Sequence, residues 1–138
     1  MTIITGGCLC SAIRYSINAD PQIVAACHCK DCQKQTGTAY SIILGIPADS
    51  VTIESGSPKS FETTGTSGQP VVRKFCGTCG SPILTDVKSI EGLLFLKGGT
   101  LDDTSSVEVG VEIWCDSKAE WATLSDSLPK LPGNPPAG

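Results

Sequence analysis

Aromatic residues are scarce in this 138-residue chain: two Trp, two Tyr and three Phe. A core must therefore be built from Ile, Val, Leu and Ala. Long apolar runs are missing as well. The stretches 40–46 and 92–96 fall far short of the roughly 20 residues that a membrane helix needs, so no membrane association is expected. The opening Met1-Thr2-Ile3-Ile4-Thr5-Gly6-Gly7 has no basic stretch followed by an apolar one. It does not read as a signal peptide, and the expected location is the cytoplasm. Positive charge is short too, with 10 Lys and Arg against 14 Asp and Glu and a formal charge of −4. A nucleic-acid binder would carry a basic stripe, so no nucleic-acid partner is expected.

Cysteine, by contrast, is abundant: eight in one short chain. In a reducing compartment they read as metal ligands or reactive thiols before disulfides. Seven fall in tight clusters: Cys8-Leu9-Cys10, Cys27-His28-Cys29-Lys30-Asp31-Cys32, and Cys76-Gly77-Thr78-Cys79-Gly80. A bridge between residues two or three apart closes a strained loop and removes little unfolded-chain entropy. Zinc favours such clusters, because a tight turn aims two thiolates at one tetrahedral centre. The glycines after Cys76 and Cys79 permit a knuckle whose backbone N–H groups face the sulfurs.

Seven ligands divide as four plus three. Cys8 and Cys10 combine with Cys76 and Cys79 in a structural zinc site joining the N-terminal strand to a later hairpin. Cys27, Cys29 and Cys32 hold a second zinc ion and leave one position open, as catalytic sites do. The other reading is that His28 closes this second site, although its place between two ligands turns it away from them. Cys115, after Trp114, reads as a small buried hydrophobe.

The rest of the chain reads as short strands and turns. Residues 12–17, 23–27, 40–46, 51–53, 71–75, 81–85 and 92–97 are expected strands, and 71–85 a hairpin with the knuckle at its tip. Residues 30–36 are expected to form one or two helical turns ended by Gly37. The stretches 63–69 and 98–103 read as turns. The alternation of Val107, Val109, Val111 and Ile113 with polar residues predicts a half-buried strand over 107–113. A single mainly β domain over 1–127 is expected, with a Pro- and Gly-rich flexible tail over 128–138.

Three motifs carry a resemblance that runs from about Gly6 to Trp121. They are Gly6-Gly7-Cys8-Leu9-Cys10-Ser11-Ala12-Ile13-Arg14-Tyr15, Cys27-His28-Cys29-Lys30-Asp31-Cys32-Gln33-Lys34-Gln35-Thr36-Gly37, and Phe75-Cys76-Gly77-Thr78-Cys79-Gly80-Ser81-Pro82-Ile83. In this order the chain resembles the glutathione-dependent formaldehyde-activating enzyme family (the GFA, or CENP-V/GFA, domain). Gly98-Gly99-Thr100-Leu101-Asp102-Asp103 is similar to a further turn of that family. The resemblance implies a β-tent of short antiparallel sheets pinned by zinc, similar to small zinc proteins that act on Rab GTPases. It implies two zinc ions, one structural at Cys8, Cys10, Cys76 and Cys79 and one in the active site at Cys27, Cys29 and Cys32. It also implies a carbon–sulfur lyase that joins glutathione and formaldehyde as S-hydroxymethylglutathione. The chain departs from the family near its end, where Glu112 and Glu120 stand at positions often held by His and Pro.

A thiolate-bound zinc can take a substrate thiol, glutathione or a similar one, and stabilise the thiolate that attacks a small aldehyde. Asp31 and Glu112 are candidate bases, though each reads first as solvated surface. Arg14, Lys30, Lys34, Arg73 and Lys97 are candidates for holding an acidic thiol, with Gln35 and Thr36 as polar contacts. Two other readings stand beside this one. The domain is a zinc-stabilised binding module without catalysis, or Cys29-Lys30-Asp31-Cys32 is a redox pair, which the absence of a βαβ pattern disfavours.

Overall fold

Ile13, Tyr15 and Ile17 alternate with polar neighbours, so the strand that holds them has one face to bury. The computed structural model, which describes residues 3–135, gives that face a partner sheet. Ten strands and one α-helix follow one another: β1 (Ile4–Gly7), β2 (Arg14–Ile17), β3 (Ile23–Cys27), α1 (Lys30–Thr36), β4 (Ser41–Pro47), β5 (Val51–Ser55), β6 (Lys59–Thr64), β7 (Pro70–Phe75), β8 (Pro82–Val87), β9 (Leu93–Lys97) and β10 (Val111–Ile113). They form a three-stranded sheet, β1-β2-β5, and a seven-stranded sheet, β10-β3-β4-β9-β8-β7-β6. The fold is mainly β, as expected.

The two sheets meet over the main core. Ile13, Tyr15 and Ile17 pack with Leu44 and Ile46 of β4, Leu84 of β8 and Leu96 of β9. Each fully buried aliphatic side chain there contributes about 1.5–3 kcal/mol. The other face of the large sheet carries a second cluster with Ala25, Cys27, Ile43, Phe95 and Ile113. Cys32 of α1, Trp114 and Leu131 cover it. The helix starts where Cys29 leaves the extended conformation and stops at Gly37, whose φ of +68° suits glycine.

Four expectations need correction. The sheets are not wholly antiparallel, because β10 pairs with β3 in parallel. The strand expected over 107–113 shortens to Val111–Ile113. Gly110 N–H reaches Val24 O at 2.9 Å, but 107–109 have no ladder beside them and belong to no strand. β6 was not anticipated. Its sequence, Lys59-Ser60-Phe61-Glu62-Thr63-Thr64, forms a mostly exposed edge strand with no buried alternation to signal it.

The fourth correction concerns the segment expected as a flexible tail. Leu131 N–H donates to Glu112 O and Glu112 N–H to Pro129 O, both at 2.9 Å. Cys115 N–H donates to Leu131 O at 3.0 Å, and Trp114 Nε1–H to Asn134 Oδ1 at 2.8 Å. Proline needs no donor on its free side, so a Pro-rich segment can still offer carbonyls to an edge strand. Residues 136–138 of that segment lie outside the described residues.

Candidate functional site

Cys8 and Cys10 sit in the turn between β1 and β2, and Cys76 and Cys79 in the turn between β7 and β8. Folding brings their four sulfurs within 4.8 Å of one another. Cys8 Sγ lies 3.6 Å from Cys10 Sγ, and Cys10 Sγ lies 3.8 Å from Cys76 Sγ. Thiolates 2.3 Å from a tetrahedral ion stand about 3.8 Å apart, so the spacing fits zinc. The backbone supports thiolate there. Ile13 N–H points to Cys8 Sγ at 3.2 Å, and Cys79 N–H to Cys76 Sγ at 3.5 Å. Gly80 takes a φ of +81° and lets the knuckle close. The Ser81 hydroxyl and N–H, with the Cys10 backbone N–H, hold the Cys79 thiol down to about 5.

The second cluster arises from β3 and the start of α1. Cys27 ends β3, Cys29 caps the helix and Cys32 lies in its first turn. Their sulfurs fall within 4.8 Å of one another, with Cys32 Sγ 3.5 Å from Cys27 Sγ. Cys32 N–H donates to Cys29 Sγ at 3.2 Å. Hydrogen bonds from Cys27 and then Cys29 hold the Cys32 thiol down to about 2, aided by the charges of Lys97 and Arg73. Contacts with Cys29 and then Cys32 push the Cys27 thiol up, and the Cys29 thiol is raised as well, the lowering by Cys27 being outweighed by Cys32 and burial. One sulfur of the trio thus takes negative charge ahead of the other two, and three thiolates together need a cation beside them. Among the described residues no fourth His, Cys, Asp or Glu groups with these three.

His28 is not that fourth ligand. Extended backbone alternates its side chains, so Cys27 and Cys29 face one way and His28 the other. Its Nε2 lies 2.8 Å from Glu112 Oε1, and both side chains are fully buried. Glu112 is therefore not solvated surface. Lys118 Nζ at 3.7 Å and Lys130 Nζ at 3.2 Å complete its surroundings. Burial pushes the Glu112 carboxyl up, but the hydrogen bonds from His28 and Lys130 outweigh it and the carboxyl is held below its ordinary value. Cys115 adjoins this pair and is half-buried, less enclosed than expected. Burial raises its thiol.

The cysteine trio opens on a cleft of about 260 Å³ in the second face of the large sheet. Register explains its lining. Cys27 stands opposite Ser41, Ile43 opposite Lys97, Phe95 opposite Thr85, and Thr85 opposite Arg73. Cross-strand partners share a face, so Cys27, Lys97, Thr85 and Arg73 all look into the cleft, with Phe95, Thr85 and Arg73 in one row and Lys97 two residues along β9 from Phe95. Asp31 and Lys30 of α1 line the same cleft, as do Trp114, Asn134 and Pro135.

Of the five cations singled out from the sequence, Arg73 and Lys97 are buried in the cleft, at 8 % and 4 % exposure. Burial pushes the Lys97 ammonium down, against the pull of the nearby thiols. Arg14 lies elsewhere and pairs with Asp102 at the small sheet. Lys34 and Gln35 face a neighbouring groove with Phe61. Thr36 Oγ1 is turned back to Cys32 O at 2.8 Å. Ser41 and Thr85 were missed. A charge at an alternating buried position of β7, Val71 then Arg73, is the signal that points to this face.

No helix among the described residues is long and apolar enough to cross a membrane. No curated protein matches the chain at a significant level. The crystal structure of a Rhodobacter sphaeroides protein is similar with a TM-score of 0.62, at 18 % identity over 76 % of this chain and 96 % of that one. At this identity the likeness speaks for the fold alone. The model of the glutathione-dependent formaldehyde-activating enzymes matches residues 3–117. With that span, and with its cysteine clusters brought together in two groups, this chain belongs to the glutathione-dependent formaldehyde-activating enzyme family.

Proposed function

We propose that the protein is a zinc-dependent carbon–sulfur lyase that forms or cleaves an adduct between glutathione, or a similar thiol, and formaldehyde or another small aldehyde. The observation that supports it most is the open cysteine trio: three sulfurs within 4.8 Å of one another, facing a cleft, with no fourth protein ligand grouped beside them among the described residues. Cys27, Cys29 and Cys32 would hold the active-site zinc, and Cys8, Cys10, Cys76 and Cys79 the structural one, giving two ions per chain. A site closed by His28, as in a binding module, is disfavoured because the imidazole is committed to Glu112 on the other face.

Held by Cys27, Cys29 and Cys32, zinc would supply Lewis acidity that stabilises a substrate thiolate. The chain's own residues do the rest. Buried Lys97 and Arg73 offset the negative charge that three thiolates and a fourth sulfur bring together. Trp114, Ile113 and Phe95 give the cleft an apolar wall that excludes water from the reacting sulfur. In the forward direction a sulfur–carbon bond forms at the aldehyde carbon, and the thiol's proton ends on the former carbonyl oxygen. Asp31 is the carboxylate that lines the cleft and the candidate to carry that proton. Glu112 faces away and takes no part in proton transfer.

Mixing metal-loaded protein with glutathione and formaldehyde, and following adduct by NMR, tests the reading. Formation above the uncatalysed rate is expected, together with its loss in Cys29→Ser while the far-UV spectrum is kept. Equal rates in the variant and the wild type would refute the assignment. The cytoplasm is the proposed location.

A further inference from the structure

The seven-stranded sheet has two outer edges, β10 and β6, and they end differently. The edge of β10 is covered by the C-terminal segment, which bonds to Glu112 through Pro129 and Leu131. Beyond β6 no further strand pairs among the described residues. β6 runs beside β7 from Lys59 to Thr64 without a register shift, so its outward N–H and C=O groups form an uninterrupted row.

Proteins blunt such an edge with proline, a bulge or an outward lysine. Neither proline nor a bulge interrupts Lys59–Thr64. Lys59 is laid over the β7–β8 turn, its Cε 2.7 Å from where a Cβ on Gly77 would stand. In the middle of the strand Phe61 is 63 % exposed, beside a groove that Phe75 and Pro82 also line. A flat edge with a bare aromatic ring is a template for another strand.

The charges say which strand. Residues opposite each other in a ladder share a face, and the faces alternate along each strand. Two identical edges related by a twofold axis therefore meet with one residue facing its own copy. Most of β6 is engaged when that residue is Phe61 or Glu62. Glu62 against Glu62 sets like charges opposite and is destabilising. Phe61 against Phe61 pairs two aromatic rings and sets Ser60 opposite Glu62. Ser60 stands opposite Lys74 of β7, so Lys74, Ser60 and Glu62 of a second copy fall in one row, with the small serine between the two charges. Among the described residues neither Lys74 nor Glu62 has an ion-pair partner in its own chain.

We propose that β6 is a dimer edge, pairing antiparallel with β6 of a second copy of this chain, with Phe61 on the twofold axis and Glu62 of each copy reaching Lys74 of the other. The two large sheets then join into one. Gly65, Thr66 and Ser67, which follow β6, line the cleft, so the pairing also steadies one of its walls. Dimerisation through this edge does not depend on the chemistry at the cysteine trio.

Sedimentation velocity of the zinc-loaded protein over roughly 1 to 500 µM, a span suited to a small interface, tests this. The wild type is expected to pass from monomer to dimer within it. Phe61→Lys sets two ammonium groups on the axis and is expected to weaken the dimer by roughly 30-fold or more. Glu62→Lys is expected to weaken it by roughly 10-fold, since each change counts twice across the axis. Adding Lys74→Glu to Glu62→Lys restores opposite charges and is expected to recover most of the affinity. Should Phe61→Lys fold poorly, the charge swap alone decides.

A wild type that stays monomeric throughout overturns the dimer edge. A dimer indifferent to Phe61→Lys and Glu62→Lys also overturns it, because another surface would then hold the copies together. Failure of Lys74→Glu to recover the Glu62→Lys dimer overturns the pairing of these two residues across the axis, and the register with it.

Discussion

His28 Nε2 and Glu112 Oε1 meet at 2.8 Å with both side chains fully buried, directly behind the loop that carries Cys27 and Cys29. The pair joins β10 to that loop, and Lys130 joins the C-terminal segment to the pair. Removing one partner of a buried ion pair leaves an uncompensated charge or an unmet donor. Glu112→Ala is expected to cost about 3 kcal/mol in urea unfolding. Glu112→Gln, which keeps an acceptor for the imidazole, is expected to cost less. Equal stability of the wild type and the alanine variant would contradict this role.

Extended spacing already turned His28 away from the sulfurs of Cys27 and Cys29, and the helix with its Gly37 stop followed from local signals. Glu112 was misread because its place in the alternation with Val111 and Ile113 put it on a solvated face. Only the fold supplies His28 and Lys130, from 84 residues before it and from the C-terminal segment, to fill that face. The pairing of 129–133 with β10 had no local signature either. The cysteine partition was legible because ligand number and spacing are constraints of the ion and not of the fold. Arg73 and Lys97 were singled out only among five cations. Strand register, which local sequence does not encode, separates them from Arg14.

The four-cysteine group ties the β1–β2 turn to the β7–β8 turn across the main core. Chelation of the metal-loaded protein is therefore expected to lower Tm by about 10 °C or more, and zinc to restore it. Cys10→Ser is expected to reproduce the loss. Cys115→Ser, outside both groups, is expected to change metal content not at all. Metal analysis with differential scanning calorimetry reads each outcome, and a Tm indifferent to chelator would contradict the structural role.

Asp102 binds the small sheet from the far end of β9. Arg14 Nη1 donates to its Oδ1 at 2.9 Å and Thr5 Oγ1 to its Oδ2 at 2.8 Å. The guanidinium first, and then the Thr5 hydroxyl, hold this carboxyl down to about 2 from an ordinary 3.8. A carboxyl depressed on folding stabilises above its unfolded value and loses that contribution as pH falls toward its folded value. The stability gap between wild type and Asp102→Asn, measured by urea unfolding of equally loaded proteins, is expected to be full above pH 4 and to narrow toward pH 2. A gap that widens in acid would contradict the pairing.

Trp114 and the segment around Asn134 close one side of the cleft. Truncation after Ser127 removes four backbone bonds, which join 129–133 to Glu112, Trp114 and Cys115, and the Asn134 bond to the indole. A loss of about 5 kcal/mol is expected from five hydrogen bonds worth roughly 1 kcal/mol each, with a red shift of indole emission. Trp121 is already 76 % exposed and contributes little to such a shift. An unchanged spectrum and stability would show that the segment is dispensable.

In the proposed function Cys27, Cys29 and Cys32 hold a metal that accepts a substrate thiol. Cobalt substitution reads it directly, since sulfur ligands to cobalt(II) produce intense charge-transfer bands and the visible bands report geometry. Protein loaded with two cobalt ions per chain is titrated with glutathione, and Cys29→Ser with one cobalt serves as the reference. A saturable rise in sulfur-to-cobalt absorption is expected in the wild type and none in the variant. A spectrum unmoved by thiol, or a single metal ion per wild-type chain, would contradict it.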